Sequence, residues 1–292
     1  MRPTFAKTAS SAIAIGSMIA VAGSSAGAAP AASSPPSSGF NDWSCRPSAA
    51  HPNPLVLLHG LGGNGPGHYA YLGPYLASVG YCAFAPTYGQ ATPLIPVGGT
   101  ISIADSAKEI AVFVAKVRTT TGADKIDIVG HSEGAFHALY GPKFLGYASH
   151  VDHVVALAPP THGTTFAGLV SFGDFLGLRP LVDTVLNTFG CQACDQLIVG
   201  GAAVKKLIAG PIAQAGIDYT IIVSGGDALV TPHETSYVRE PGVHNVLIQD
   251  TCPLDPAGHI GMAYDPTVAQ MVTNALDPER AKPVVCGFGP PL

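Results

Sequence analysis

The sequence predicts an α/β fold with a mostly parallel central sheet, helices on both faces, and a helical insertion packed over one sheet edge. Three observations predict it. Short apolar runs alternate with helix-period segments, a βαβαβαβ rhythm that calls for parallel strands. The first run, Leu55 to Leu58, is apolar throughout, as a strand buried on both faces is. The rhythm is interrupted once, by a long apolar stretch with few charges between Thr161 and Asp218.

Taken in order, Pro54-Leu55-Val56-Leu57-Leu58 is a buried strand running into His59-Gly60. His68 to Val79 reads as a helix closed by Gly80. Tyr81 to Ala85 is the next strand, stopped by Pro86. Ser102 to Thr121 holds the strongest helix pattern, with Ile103, Ala107, Ile110, Val114 and Val117 on one face. Its acids lie near the start and its bases near the end, as the helix dipole favours, and Gly122 ends it. Lys125 to Val129 is a strand, followed by a tight turn and the helix that begins Ala135-Phe136. Val151 to Ala158 is a strand ended by Pro159-Pro160. Residues 161–218 have too many Leu, Phe, Val and Ile for a solvated loop and read as short helices forming a cap or lid. Tyr219 to Ser224 and Val243 to Gln249 resume the sheet, and Asp265 to Leu276 closes the domain as a helix with Pro266 in its first turn.

The N-terminal residues read as a signal peptide over 1–28. Arg2 and Lys7 give the positive start, Ala12 to Ala22 is apolar but too short to span a bilayer, and Ala26-Gly27-Ala28 offers a cleavage site. Residues 29–39 are an Ala/Ser/Pro leader without the composition of a core. Residues 40–292, about 250 residues, suffice for one large domain. The expectation is an exported, monomeric protein with no transmembrane anchor.

Charged residues are 11% of the chain and the net charge is −5, with no basic patch, which argues against a nucleic-acid partner. An apolar, weakly charged exported protein suits contact with lipid-like material, although Gly and Ala enrichment can also reflect genome composition. The six cysteines fit three disulfides in an oxidising compartment. They allow 15 connectivities, and their placement favours Cys45–Cys82 around the first strand, Cys191–Cys194 as a small local loop, and Cys252–Cys286 around the last helix. A redox or zinc role for Cys191-Gln192-Ala193-Cys194 lacks a second Cys pair or paired histidines.

Gly130-His131-Ser132-Glu133-Gly134 lies between the strand ending at Val129 and the helix that follows. A Gly-x-Ser-x-Gly on a strand-to-helix turn pushes its serine out at the top of a sheet. Such a motif arises by chance in a glycine-rich chain, so its neighbours must carry the inference. A serine hydroxyl needs a histidine to take its proton and an acid to orient that histidine, and in this version they follow in the order Ser, acid, His. Asp227 follows the strand Ile221-Ile222-Val223 through Ser224-Gly225-Gly226 and is the acid candidate, ahead of Glu234, Asp250 and Asp255. His259, in the loop before the last helix, is the base candidate, ahead of His233 and His244. His131, His137, His150 and His153 are read as packing or surface residues. For the developing oxyanion, the backbone N–H groups of Glu133 and of Leu61, in the loop His59-Gly60-Leu61-Gly62-Gly63-Asn64, are the candidate donors. That loop lacks the lysine of a phosphate-cradling loop. No metal or organic cofactor is expected.

The chain resembles the secreted actinobacterial lipases of the α/β-hydrolase fold, the class 2 lipases. The resemblance rests on Leu57-Leu58-His59-Gly60-Leu61-Gly62-Gly63, on Val129 to Gly134, on Asp227 through Val230-Thr231-Pro232, and on Gln249 to Asp255 leading to His259. It implies hydrolysis of acylglycerol esters, including at an oil–water interface, with Ser132, Asp227 and His259 as the triad. Many relatives carry Gln or Met after the nucleophile, so Glu133 is expected to add a carboxylate near the site. A polyester hydrolase of cutinase type and a cell-envelope acyltransferase share the same residues. A surface-binding protein with a dead triad is the reading from another class.

Overall fold

The computed structural model describes residues 39–165 and 190–292. The expected signal peptide and nearly all of the leader, together with 166–189 of the expected cap, lie outside the described residues.

Six parallel strands form one sheet in the order β2-β1-β3-β4-β5-β6. They are β1 (Leu55–Leu58), β2 (Ala83–Phe84), β3 (Ile126–His131), β4 (Val151–Leu157), β5 (Asp218–Val223) and β6 (Val243–Leu247). Alternate residues of each strand enter opposite cores. Val56, Leu58, Ile128, Val154 and Ile221 pack with α3 (Ile103–Thr121) and α4 (Glu133–Phe144). Leu55, Leu57, Val129, Val155 and Ile222 pack with α2 (Leu72–Ser78) and α8 (Pro266–Leu276). The middle of the sheet is therefore buried on both faces, with polar residues Asp127, Asp152 and His153 near the strand starts.

α3 is set by its ends as much as by its apolar face. The Ser102 hydroxyl accepts from the Asp105 N–H at 3.1 Å, and Gly122 closes the helix at φ 74°. Between Thr161 and β5 the described chain forms two six-residue helices, α5 (Gln192–Leu197) and α6 (Ala202–Leu207), whose Leu197, Val204 and Leu207 join the first core. Disulfides close Cys45–Cys82, Cys191–Cys194 and Cys252–Cys286, with Cα separations of 5.8, 5.3 and 5.6 Å. No helix among the described residues is long and apolar enough to cross a membrane.

Three expected elements differ. The helix expected over 68–79 is two pieces, α1 (Gly65–His68) and α2, because Tyr69 turns inward to donate its hydroxyl to the Leu58 carbonyl at 2.7 Å. The strand expected over 81–85 pairs only at Ala83 and Phe84. The last strand ends at Leu247 rather than Gln249, and Ile248–Thr251 is a helical turn, α7. Gln249 is thereby turned towards the loop after β5, where its Nε2 donates to Ser224 Oγ at 3.1 Å.

Candidate active site

The winding order reverses at β1, since the chain passes outward from β1 to β2 and then crosses back to β3 on the other side, and ligand sites of open α/β sheets lie at the strand ends beside such a switch point. Leu58 pairs with Gly130, so the loop after β1 lies directly beside the turn after β3. Ser132 stands on that turn at φ 57°, ψ −122°, a backbone conformation that a side chain other than glycine rarely adopts. The turn is held by the Ser132 N–H donating to Leu157 O at 2.8 Å. Its glycines are required by close approach: a Cβ on Gly134 would overlap the Leu58 carbonyl, and one on Gly130 the Gly134 carbonyl.

Asp227 and His259 meet across the loops after β5 and α7. His259 Nδ1 donates to Asp227 Oδ2 at 2.7 Å, both residues being buried. Asp227 Oδ1 accepts from the N–H groups of Leu229 at 2.7 Å and Val230 at 2.9 Å. Burial opposes a charge on Asp227, but His259 and these two N–H donors outweigh it and hold the carboxyl below its ordinary range. A carboxylate that accepts fixes the proton of His259 on Nδ1 and leaves Nε2 with its lone pair.

The two loops are tied together by Gln249. Its Oε1 accepts from Gly225 N, and its Nε2 donates to Ser224 Oγ and Asp255 O, at 2.9, 3.1 and 2.9 Å. The Ser224 hydroxyl in turn donates to Ala257 O. From the other side the C-terminal segment straps the His259 loop. Gly258 N donates to Pro290 O at 3.1 Å, and Ile260 N and Gly261 N donate to Leu292 O at 2.7 and 3.0 Å. The Cys252–Cys286 disulfide anchors that segment. Sequence reasoning missed Ser224, Gln249 and this strap, because their partners lie far along the chain and their types carry no motif.

Ser132, Glu133, His259, His68 and the Gly60–Asn64 loop line one cavity of about 200 Å³. Leu197, Ile198, Leu229, Val230 and Ile260 give it apolar walls, and Cys194 of the α5 disulfide reaches it. Glu133 is the first residue of α4, so its N–H has no partner within the helix. The Leu61 N–H meets no acceptor among the described residues.

The other acids and histidines lie elsewhere. Glu234 and His233 sit on a short 3-10 turn, His244 is exposed on β6, Asp250 is exposed on α7, and Asp255 accepts from the Ala257 N–H at 3.0 Å. Two of the histidines expected to be packing or surface residues are buried with specific polar partners. His131 reaches the His259 carbonyl through Nε2 at 2.7 Å, and His137 meets Glu133 Oε1 at 3.2 Å.

The expected carboxylate of Glu133 does not materialise. Its side chain is buried beneath Gly99, where a Cβ would press on Glu133 Oε2. Burial alone raises its pKa well above the ordinary value, and burial lowers that of His137 to about 3. The helix N-terminus favours a negative charge by at most about 2 kcal/mol. Complete desolvation of a carboxylate costs more, so the pair is neutral.

Among the described residues one group has metal-ligand spacing, Asp127, Asp152 and His153, at the opposite ends of β3 and β4 from Ser132. Those side chains already serve one another. Asn53 donates to both carboxylates, His153 Nδ1 donates to Asp127 Oδ1 at 3.1 Å, and Lys125 pairs with Asp152 at 2.5 Å.

Comparison with known proteins agrees with this architecture. The class 2 lipase family model matches residues 52–176. The matched stretch contains the Gly60–Asn64 loop and the Ser132 turn and ends before Asp227 and His259. Lipase B of Aspergillus fumigatus superposes with a TM-score of 0.62 at 15% identity, over 84% of this chain and 61% of that one. The chain thus spans less than two thirds of that lipase. A putative non-heme bromoperoxidase of Mycobacterium tuberculosis has a TM-score of 0.53 at 17% identity, covering 78% of this chain and 93% of that one. A lipase-esterase related protein of Clostridium acetobutylicum has 0.52 at 18%, covering 79% and 97%. The fold is that of the α/β hydrolases.

Proposed function

We propose that the protein is an exported serine hydrolase of carboxylic esters, acting on acylglycerols through Ser132, His259 and Asp227. The observation that carries the reading is the pairing of His259 with Asp227 beside a serine held at positive φ on the turn after β3. The class 2 lipase match over the first half of the site and the apolar walls of the cavity support the substrate class. The three disulfides support export, because an oxidising compartment is where such bonds persist.

In this mechanism His259 Nε2 takes the Ser132 proton as Oγ attacks the ester carbonyl. The N–H groups of Leu61 and Glu133 receive the oxyanion, each worth about 3 kcal/mol of barrier. His259 then protonates the departing alcohol, and water, deprotonated by the same nitrogen, releases the acid from Ser132. Asp227 keeps the His259 proton on Nδ1 throughout and stabilises the imidazolium. The Glu133 carboxyl, neutral and turned inward, takes no part.

Ser132→Ala is expected to reduce hydrolysis of p-nitrophenyl esters to a trace, a loss of about 10⁴-fold or more, with the fold retained. Substantial activity in that variant would remove Ser132 as the nucleophile. A panel of emulsified triglycerides from tributyrin to triolein, run beside a polyester film, sets the acylglycerol reading against the polyester one.

A further inference from the structure

We propose that His68 is a positioning residue for this site, holding the His259 loop in place through His131. The proposal rests on the ester-hydrolase reading above.

The hydrogen-bond directions follow from what each atom can do. The His259 carbonyl can only accept, so the 2.7 Å contact to it requires the proton of His131 on Nε2. His131 Nδ1 is then a lone pair, and His68 Nε2, 2.9 Å away, must donate to it. One tautomer of each ring satisfies the chain from His68 N–H to His131 to His259 O. His131 is buried and is the residue before Ser132. The base's own backbone is thus tied to the neighbour of the nucleophile, on the side opposite the strap from Pro290 and Leu292.

His68 is half-buried at the end of α1 and lines the cavity. Its Nδ1 has no partner among the described residues, so the polar chain ends at the cavity. α1 is itself fixed near this point, because the Tyr264 hydroxyl donates to Gly67 O at 3.1 Å. Burial keeps both rings neutral: His131 is lowered to about 3, and His68 is lowered well below its ordinary value, with the neighbouring His131 adding to the effect. Two neutral rings can share one N–H···N bond; two charged rings would oppose their donors.

Without the His68 N–H, His131 Nδ1 is a buried acceptor with nothing to accept. The unpaired lone pair is relieved only by rotation of the ring towards another donor, and rotation draws the Nε2–H out of line with the His259 carbonyl. The tie on the loop is thereby loosened. The loss falls on the transition state, where His259 must be aligned, rather than on substrate binding.

The test compares His68→Phe and His68→Leu, which lack the donor, with His68→Gln, whose amide nitrogen can donate in its place. Kinetics on a p-nitrophenyl ester are read together with ¹⁵N NMR of the His131 ring. The apolar variants are expected to lose about tenfold in kcat with KM within about twofold, the size of a lost buried hydrogen bond. Their His131 Nδ1 signal is expected to move towards that of an unbonded ring nitrogen, and the Nε2 signal to shift as its bond to the His259 carbonyl loosens. His68→Gln is expected to recover most of kcat and the wild-type His131 ring signals. Wild-type kcat and unchanged His131 ring signals in whichever apolar variant folds would overturn the proposal, as would equal losses in the Phe, Leu and Gln variants. Absence of ester turnover in the wild type would instead overturn the ester-hydrolase reading, and the NMR comparison would still decide the His68–His131 relay.

Discussion

Asp227→Asn is expected to lower kcat for ester hydrolysis by about 10⁴-fold while leaving KM and the fold nearly unchanged. The substitution keeps the oxygen that accepts from Leu229 N and Val230 N, so the loop survives. It replaces Oδ2, the acceptor of the His259 Nδ1 proton, with an NH₂ donor. Donor would then face donor, and the ring would relieve this by carrying its proton on Nε2, where it cannot take one from Ser132. Asp227→Ala should reach a similar kcat but also lose stability, because two buried N–H groups go unpaired. Steady-state kinetics with thermal melts of both variants separate the two effects. A fall of less than tenfold in Asp227→Asn would mean that another acid orients His259.

Acid is expected to destabilise the native state steeply between pH 6.5 and 5, well above the range where carboxylates titrate. Burial lowers His59 to about 4 and His131 and His137 to about 3, and lowers His68 as well. The unfolded chain binds these protons near pH 6.5 and the native state does not. Stability is therefore at its full value above pH 6.5 and falls as pH drops towards the native-state values. His59, His131 and His137 each cost about 2 kcal/mol at pH 5. Glu133 acts in the opposite sense, since burial keeps its proton on in the native state, and Asp127 and Asp265, also raised by burial, add to that offset. Four histidine protons against at most three carboxyl protons leave a net uptake on unfolding towards pH 5, and each net proton is worth about 1.4 kcal/mol per pH unit. That is a large fraction of the 5–15 kcal/mol that holds a typical domain. Urea unfolding at half-unit pH intervals measures the slope directly. A flat profile from pH 6.5 to 5 would contradict the expected net proton uptake on unfolding.

How far the sequence could be read depends on the range of the interactions. β1 is apolar throughout and β3 and β4 carry apolar runs after their first residues, because they are buried on both faces, so composition places them. The order Ser132, Asp227, His259 is readable because chemistry fixes the residue types and the fold fixes their order at strand ends. His259 and His244 could be separated in the sequence only by loop position; in the structure His244 is exposed on β6 and His259 lies against Asp227. What escaped the sequence depends on distant partners. The end of β6 at Leu247 follows from the bonds of Gln249 to Ser224 and Gly225, 25 and 24 residues away. The inward turn of Glu133 follows from Gly99, and the role of His131 from His68 and from the carbonyl of His259. Neither periodicity nor motif spacing encodes such contacts.

The central claim, that Ser132 is a nucleophile activated by His259, is tested most directly by reaction with a fluorophosphonate followed by peptide mass mapping. Such a probe phosphorylates a serine only when a base removes its proton and an oxyanion site receives the developing charge. The account predicts one adduct per chain, on the peptide containing Ser132, absent in Ser132→Ala and slowed in Asp227→Asn. No adduct on the folded wild-type protein, or an adduct that persists in Ser132→Ala, would contradict it.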